Sequence, residues 1–275
     1  CMERTLYNGV ISGMSMDGGR FFYPNPLSSD GKYKFNADGN TTRQPWFGCA
    51  CCPSNLCRFI PSVPGYLYGV KDNNIYVNLF AGNTSTIKVN GKDVVLEETT
   101  EYPWNGDIKI AVKKSGVKNA NLLVRIPGWV RNQVVPSDLY KYSDAEKPAY
   151  SVTVNGKAVE ADLDANKGYL PVKNIKKGDV IRIHFDMPVR TVVANGKVAD
   201  DKGKVAVERG PLVYCAEAVD NQSEPVLRAV MAKKPAFSLV DNYSIENTET
   251  KGAPAFSVKA IQTSSQVLDQ AADGT

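Results

Sequence analysis

The sequence predicts a mostly β protein, two antiparallel β-sandwich domains behind a short helical segment, and three observations lead there. From about residue 66 onward the chain is a succession of short, alternating, β-branched runs. Asn-Gly, the dipeptide that suits the positive φ angles of tight hairpins, recurs at 90–91, 105–106, 155–156 and 195–196. The first 60 residues differ in texture, with apolar residues at helical spacing around a long polar stretch. At 275 residues and 43% hydrophobic content, the chain has the material for a substantial core.

The elements follow in order. Met2, Leu6, Val10, Ile11 and Met14 fall at helical spacing, so residues 1–16 are expected to form a helix that carries Asn8-Gly9 within it. The stretch "MDGGRFFYPNPLSSDGKYKFNADGNTTRQPW" is rich in Gly, Asp, Asn and Pro and too long for a simple connector, which marks it as a functional loop. Pro53 is expected to open a second helix, "PSNLCRFI", since proline at the first helical position gives up no intrahelical bond; Pro61 and Pro64 close it. Strands then follow in "YLYGV", "NIYVNLF", "TIKVNGKDVVLEE", "DIKIAVKK", "NLLVRIPGW", "YSVTVNGKAVE", "DVIRIHFDM" and "TVVANGKV". Regular strand spacing with hairpin turns argues for antiparallel sandwiches over a parallel sheet. The expected domains are residues 1–67, helical; 68–188, a first β-sandwich; and 189–275, a second one, incomplete. The chain is periodic from Cys1 and ends in a polar run, so we expect a piece of a longer polypeptide.

Composition narrows the partners. The net charge of +4 comes from 33 basic and 29 acidic residues, with no basic run of the kind that binds nucleic acid or a charged membrane surface. No apolar stretch approaches the roughly 20 residues of a spanning helix. The compartment stays open, cytoplasm or periplasm.

Four of the six cysteines lie in "QPWFGCACCPSNLCRF". Cys51 and Cys52 stand at or just before a helix N-terminus, where unpaired N–H groups and the macrodipole favour a thiolate. A disulfide between neighbouring cysteines closes a strained ring, so metal ligation is the more natural use, with zinc the metal that best suits sulfur. Cys49, Cys51, Cys52 and Cys57 supply the number for a tetrahedral set, yet C-x-C-C-x4-C is not a finger or ribbon spacing. Metal, buried-thiol and redox roles all remain open on spacing alone. Cys57, beside Leu56 and Ile60, reads as structural, and Cys215, in "GPLVYCAEAV", as a small core residue.

Four segments, "ERTLYNGVISGMSMDGGRFFYPNPL", "PWFGCACCPSNLCRFIPSVPGYLY", "LLVRIPGW" and "VAVERGPLVYCAE", occur in an order that resembles glycoside hydrolase family 127 and its sister family 146, the β-L-arabinofuranosidases. The resemblance implies an (α/α)6 barrel followed by β-sandwich domains, so that residues 1–67 would be the end of the barrel. It also implies a retaining bacterial glycosidase that releases β-L-arabinofuranose from plant glycans. Within the Cys-Cys-Pro block it makes Cys51 the catalytic nucleophile and a zinc ligand, and Cys52 a second ligand; Tyr23, closing "RFFY", becomes a sugar-contacting residue. The family's Glu-x-Cys ligands and its acid/base glutamate have no counterpart in this sequence. They belong to the missing N-terminal part of the barrel, the implied partner of this chain alongside an arabinofuranosyl oligosaccharide or glycan. The chain alone is accordingly expected to be inactive and to hold zinc weakly. Two other readings compete: a non-catalytic carbohydrate-binding β-sandwich protein, and a structural zinc module completed by Cys49 or Cys57.

Several residues invite a function and have a plainer reading. His184, the single histidine, alternates outward on "IRIHFDM" and reads as an exposed strand residue without partners. Glu208 and Arg209 read as an ion pair at a strand end. Trp46 is either pocket wall or core, Trp104 and Trp129 cover sandwich ends, and Arg43 either hydrogen-bonds a sugar hydroxyl or, on the plainer reading, faces water.

Overall fold

The computed structural model describes residues 1–15, 17–49, 51–221, 226–232, 235–240, 255–258 and 260–262. Their secondary structure is mostly β, in several sheets. The chain divides into two compact units, one of Cys1–Cys57 with Thr191–Glu208 and Leu212–Thr275, the other of Arg58–Arg190 with Arg209–Pro211.

The first unit opens with α1 (Met2–Thr5), which widens into a π-helical turn at Leu6–Val10 and tightens into a 3-10 turn at Ile11–Gly13. Asn8-Gly9 does lie inside helical backbone, but the helix ends at Gly13, where Met14 turns extended at φ −100° and ψ 144°. Of the apolar residues on its period, Leu6 is buried, while Met2 and Ile11 are exposed. The segment is fastened mainly by polar contacts: Arg4 grips Glu208 with both terminal nitrogens, and Asn8 Oδ1 accepts the Val213 N–H at 2.8 Å. Glu208 is only 3% exposed, so the ion pair at this strand end is a buried one, made with Arg4. Alternation turns Glu208 inward, toward Arg4; removing Arg4 would take a cation from a buried carboxylate. The second helix, α2 (Cys51–Phe59), begins two residues before Pro53.

The second unit contains α3 (Pro64–Leu67) and two sheets. One orders β1 (Tyr68–Lys71), β2 (Asn74–Val77), β6 (Asn121–Arg125) and β10 (Tyr169–Val172). The other orders β3 (Asn83–Val89), β4 (Lys92–Thr100), β5 (Asp107–Ser115), β11 (Val180–Phe185), β8 (Tyr150–Val154) and β9 (Lys157–Ala158). A short β7 (Tyr140–Tyr142) precedes β8. Period-two sequence sends alternate residues inward, so Ile75, Val77, Leu122 and Val124 on the first sheet, and Leu96 and Ile110 on the second, are fully enclosed. Each such side chain contributes about 1.5–3 kcal/mol through removal from water. Phe80, Phe185 and Trp129 meet edge-on or tilted in the same interior, with centroids 5.7 Å apart. Trp129 is thus core, while Trp104 remains 43% exposed.

Two of the four Asn-Gly dipeptides make the expected tight turns, with φ of 48° and 76° at Asn90-Gly91 and 50° and 81° at Asn155-Gly156. Asn105-Gly106 does something else. A Cβ on Gly106 would lie 2.0 Å from the Phe185 carbonyl oxygen, so glycine there permits β11 to approach the start of β5. One pairing departs from the antiparallel expectation: β2 and β6 run parallel, Ile75 opposite Leu122. The 43 residues between Asn78 and Ala120 first build three strands of the other sheet, and the chain returns beside β2 pointing the same way.

Beyond these lie β12 (Val189–Ala194), β13 (Val205–Arg209) and β14 (Leu212–Tyr214). Two further pairings are antiparallel, β15 (Ala229–Met231) with β18 (Ala260–Gln262) and β16 (Phe237–Val240) with β17 (Ala255–Val258). Most of the polar run at the end of the chain falls outside the described residues.

Candidate active site

The nine-residue helix α2 places Cys51 and Cys52 in its first turn. Pro53 still costs nothing, because N–H groups of the first turn have no intrahelical acceptor. Those unpaired donors and the helix dipole favour negative charge on a sulfur at this end. Both cysteines are exposed, and so are Cys49 and Cys57.

Opposite the sulfurs stands Tyr23, brought there by the long polar loop. That loop is held by a small ladder: Phe21 and Gln44 exchange both backbone hydrogen bonds at 2.8 Å, and Met14 bridges to Phe21 on its other side. Asn36, 4% exposed, accepts the Tyr23 N–H at 2.7 Å and donates to the Thr42 carbonyl at 2.9 Å, tying two strands of the loop together. The Tyr23 ring packs edge-on against buried Phe47, centroids 5.4 Å apart. Arg43 belongs to this scaffold and does not simply face water: its Nη2 donates to the Ser12 carbonyl at 2.8 Å, and its guanidinium lies 4.4 Å above the Phe22 ring.

The result is a cluster of four polar atoms. Tyr23 Oη is 2.7 Å from Cys51 Sγ and donates to Cys49 Sγ at 3.4 Å; Cys51 Sγ lies 3.6 Å from Cys49 Sγ and 4.0 Å from Cys52 Sγ. Tyr23 is the largest influence lowering the Cys51 thiol below its ordinary value, followed by Cys49. Desolvation first, then the neighbouring Cys51, pushes the Cys52 thiol up, and the two sulfurs it serves raise the Tyr23 hydroxyl, which keeps its proton. The arrangement presents an exposed Cys51 sulfur in hydrogen-bond contact with Tyr23 Oη, beside two other thiols.

Zinc–sulfur bonds of about 2.3 Å in a tetrahedron separate neighbouring sulfurs by roughly 3.8 Å. The 3.6 and 4.0 Å spacings bracket that value, so Cys51 with either neighbour fits two corners of such a site. Among the described residues, no three His, Cys, Asp or Glu side chains converge to complete one.

The structure brings Cys51, Cys52 and Tyr23 together. It also bears on other readings. Cys57 is exposed on α2 and does not pack. Cys215 is exposed just beyond β14, its Sγ 3.7 Å from Glu217 Oε1, because the strand ends one residue before it. His184 is on the outer face as expected but has partners, Asp107 at 2.7 Å on Nδ1 and Asp186 at 3.1 Å on Nε2. Trp46 is 62% exposed and so is not core. Sequence reasoning missed Asn36; nothing in "NADGN" beyond turn composition pointed to a side chain that orders the loop around Tyr23.

Comparison with known proteins covers nearly the whole chain. The family model "Beta-L-arabinofuranosidase, GH127 catalytic domain" matches residues 1–65, the GH127 middle domain 74–187, and the glycoside hydrolase family 127 C-terminal domain 189–263. A non-reducing end β-L-arabinofuranosidase of Bifidobacterium longum subsp. longum is 35% identical over 233 residues, 81% of this chain and 32% of the relative. The solved GH127 β-arabinofuranosidase BT3674 is 52% identical with a TM-score of 0.84, over 94% of this chain and 38% of that one. Ara127N-Se, a GH127 β-L-arabinofuranosidase from Geobacillus stearothermophilus T6, is 31% identical with a TM-score of 0.73, over 94% and 42%. The chain thus spans about a third of the curated relative and about two fifths of these solved structures.

Proposed function

The chain belongs to glycoside hydrolase family 127, and on that membership we propose that it is the C-terminal part of a retaining β-L-arabinofuranosidase whose nucleophile is Cys51. Residues 1–67 are then the end of its (α/α)6 barrel, and the two sheets of the second unit form a β-sandwich. The observation that carries the reading is the 2.7 Å contact between Tyr23 Oη and an exposed Cys51 Sγ at the start of α2.

Each residue has a share in the chemistry. The Cys51 sulfur attacks the anomeric carbon of an arabinofuranosyl unit as the bond to the leaving oxygen breaks, forming a glycosyl thioether. The leaving oxygen takes a proton from an acid that this chain does not supply. Water then attacks the same carbon from the opposite face, its proton passing to the group that protonated the leaving oxygen, and the C–S bond breaks with its electron pair returning to sulfur, so two inversions retain configuration. Cys51 and Cys52 would hold zinc, which supplies deprotonation of the thiol at neutral pH. Tyr23 orients the sulfur through its hydroxyl, and its ring, fixed against Phe47, is placed to border the sugar. α2 contributes the positive end of its dipole to the charge that returns to sulfur on release.

The test is Cys51→Ser in the full-length enzyme, assayed on an aryl β-L-arabinofuranoside with bound zinc measured alongside. Loss of turnover with the fold retained supports the reading; wild-type turnover overturns it. The chain by itself, lacking the acid and two ligands, is expected to show no hydrolysis and no stoichiometric zinc.

A further inference from the structure

We propose that Cys49 is a resolving cysteine, and that hydroperoxides convert the Cys49–Cys51 pair to a reversible disulfide that switches off the site. This deepens the nucleophile reading of Cys51 and rests on it for its effect on activity, but the sulfur chemistry stands on geometry alone.

The two sulfurs lie 3.6 Å apart as free thiols, and both are exposed. The bond between them needs a closure of about 1.5 Å, which small χ rotations at two surface side chains supply. The other neighbour competes poorly. Cys52 Sγ is farther away, at 4.0 Å, and adjacent residues held in one helical turn cannot reach disulfide geometry without opening that turn. Cys49 precedes the helix, so closure onto Cys51 leaves α2 intact. Tyr23 supplies the second observation. Its hydroxyl contacts both Cys51 and Cys49, at 2.7 and 3.4 Å, and so keeps the two sulfurs on one side of the loop.

The chemistry balances with one peroxide. Cys51 sulfur attacks the O–O bond of a hydroperoxide, giving the sulfenic acid Cys51–SOH and releasing an alcohol, or water from hydrogen peroxide. Cys49 sulfur then attacks the Cys51 sulfur, the S–O bond breaks, and the departing hydroxide leaves as water with the Cys49 proton. Two thiols are oxidised to one disulfide while one peroxide is reduced, and a dithiol reverses it. Exposed disulfides of this kind are the labile, regulatory class. Without Cys49, the sulfenic acid would go on to the irreversible sulfinic state.

Tryptic cleavage after Arg43 and Arg58 leaves Cys49, Cys51, Cys52 and Cys57 on one peptide, residues 44–58. The full-length enzyme is treated with hydrogen peroxide, its remaining thiols are alkylated, and this peptide is sequenced by tandem mass spectrometry before and after dithiothreitol. The expected result is alkylation of Cys52 and Cys57 with an intact Cys49–Cys51 bond, and loss of activity by roughly tenfold or more that dithiothreitol restores. In Cys49→Ser and Cys49→Ala, each normalised to its own untreated activity, dithiothreitol should restore little, and Cys51 sulfinic acid should appear. A disulfide to Cys52 or Cys57, or unaided recovery in both Cys49 variants, overturns the inference. Failure of the nucleophile reading has a different signature: the Cys49–Cys51 bond forms but turnover persists, and Cys51→Ser is active.

Discussion

Around Cys51 the functional groups are exposed and held by a few polar side chains; in the second unit the side chains that matter are enclosed and held by strand register. Asn36, Arg43 and the Phe21–Gln44 bridge fix Tyr23 with bonds of 2.7 to 2.9 Å, each replaceable by water. Ile110, by contrast, is held between Glu98 on β4 and Ile181 on β11 and has no exposed surface. The difference teaches where each region is vulnerable. Substitutions near the thiols should act on turnover with little effect on melting, and substitutions in the strands should do the reverse.

The largest effect expected is that of Cys51→Ser, a loss in kcat of about a thousandfold or more, since on the proposed mechanism Cys51 acts in both steps and its removal would leave only binding and orientation. Circular dichroism melting should be unchanged for that variant; a lowered melting point would break the contrast from the side of the site. Tyr23→Phe sharpens it. Losing the Tyr23 hydroxyl contact to the proposed nucleophile should lower kcat roughly 10- to 100-fold, with the ring still packed on Phe47. From the other region, Ile110→Ala should cost about 2–5 kcal/mol of unfolding free energy, read by urea titration, because it removes buried methyl groups and leaves a cavity.

Legibility in the sequence followed the same division. Strand positions could be read because burial there depends on local alternation, visible as a period of two in "NIYV" and "IRIHF". The parallel pairing of β2 with β6 could not, since it depends on where the chain returns after 43 residues. At the site, Cys51 and Cys52 were marked by a rare vicinal pair next to proline, and Tyr23 through resemblance. The pairing of Glu208 with Arg4, 204 residues away, and of His184 with Asp107, 77 residues away, could not be read locally, whereas Asp186 lies only two residues from His184. No neighbour in sequence announces a contact that only the fold creates.

Glu98 and His184 let the pH dependence of the strands be divided between a buried and an exposed group. Glu98 is 3% exposed; burial pushes its carboxyl up to about 7 against the bonds it accepts from Tyr68 Oη at 3.0 Å and the Ala81 N–H at 3.1 Å. A raised folded value means that its contribution is fully present below the unfolded carboxyl value and is lost as pH rises through 7. The loss is on the order of 3 kcal/mol, and Glu98→Gln should flatten the stability profile across that interval.

The smallest effect is expected at His184, whose pairing with Asp107 raises its folded value against an opposing desolvation, with Asp186 adding to the rise. Here too the stabilisation is complete below the unfolded imidazole value and disappears as pH rises through the higher folded one. Both ring nitrogens are paired with these carboxylates, and half of its side-chain surface is open to solvent, so screening holds the contribution below about 1 kcal/mol. His184→Gln should therefore leave stability at pH 9 unchanged and lower it slightly at pH 6, an effect that fades in high salt, whereas the effect of Glu98→Gln should survive salt. Equal salt sensitivity in the two variants would show that burial is not what separates them.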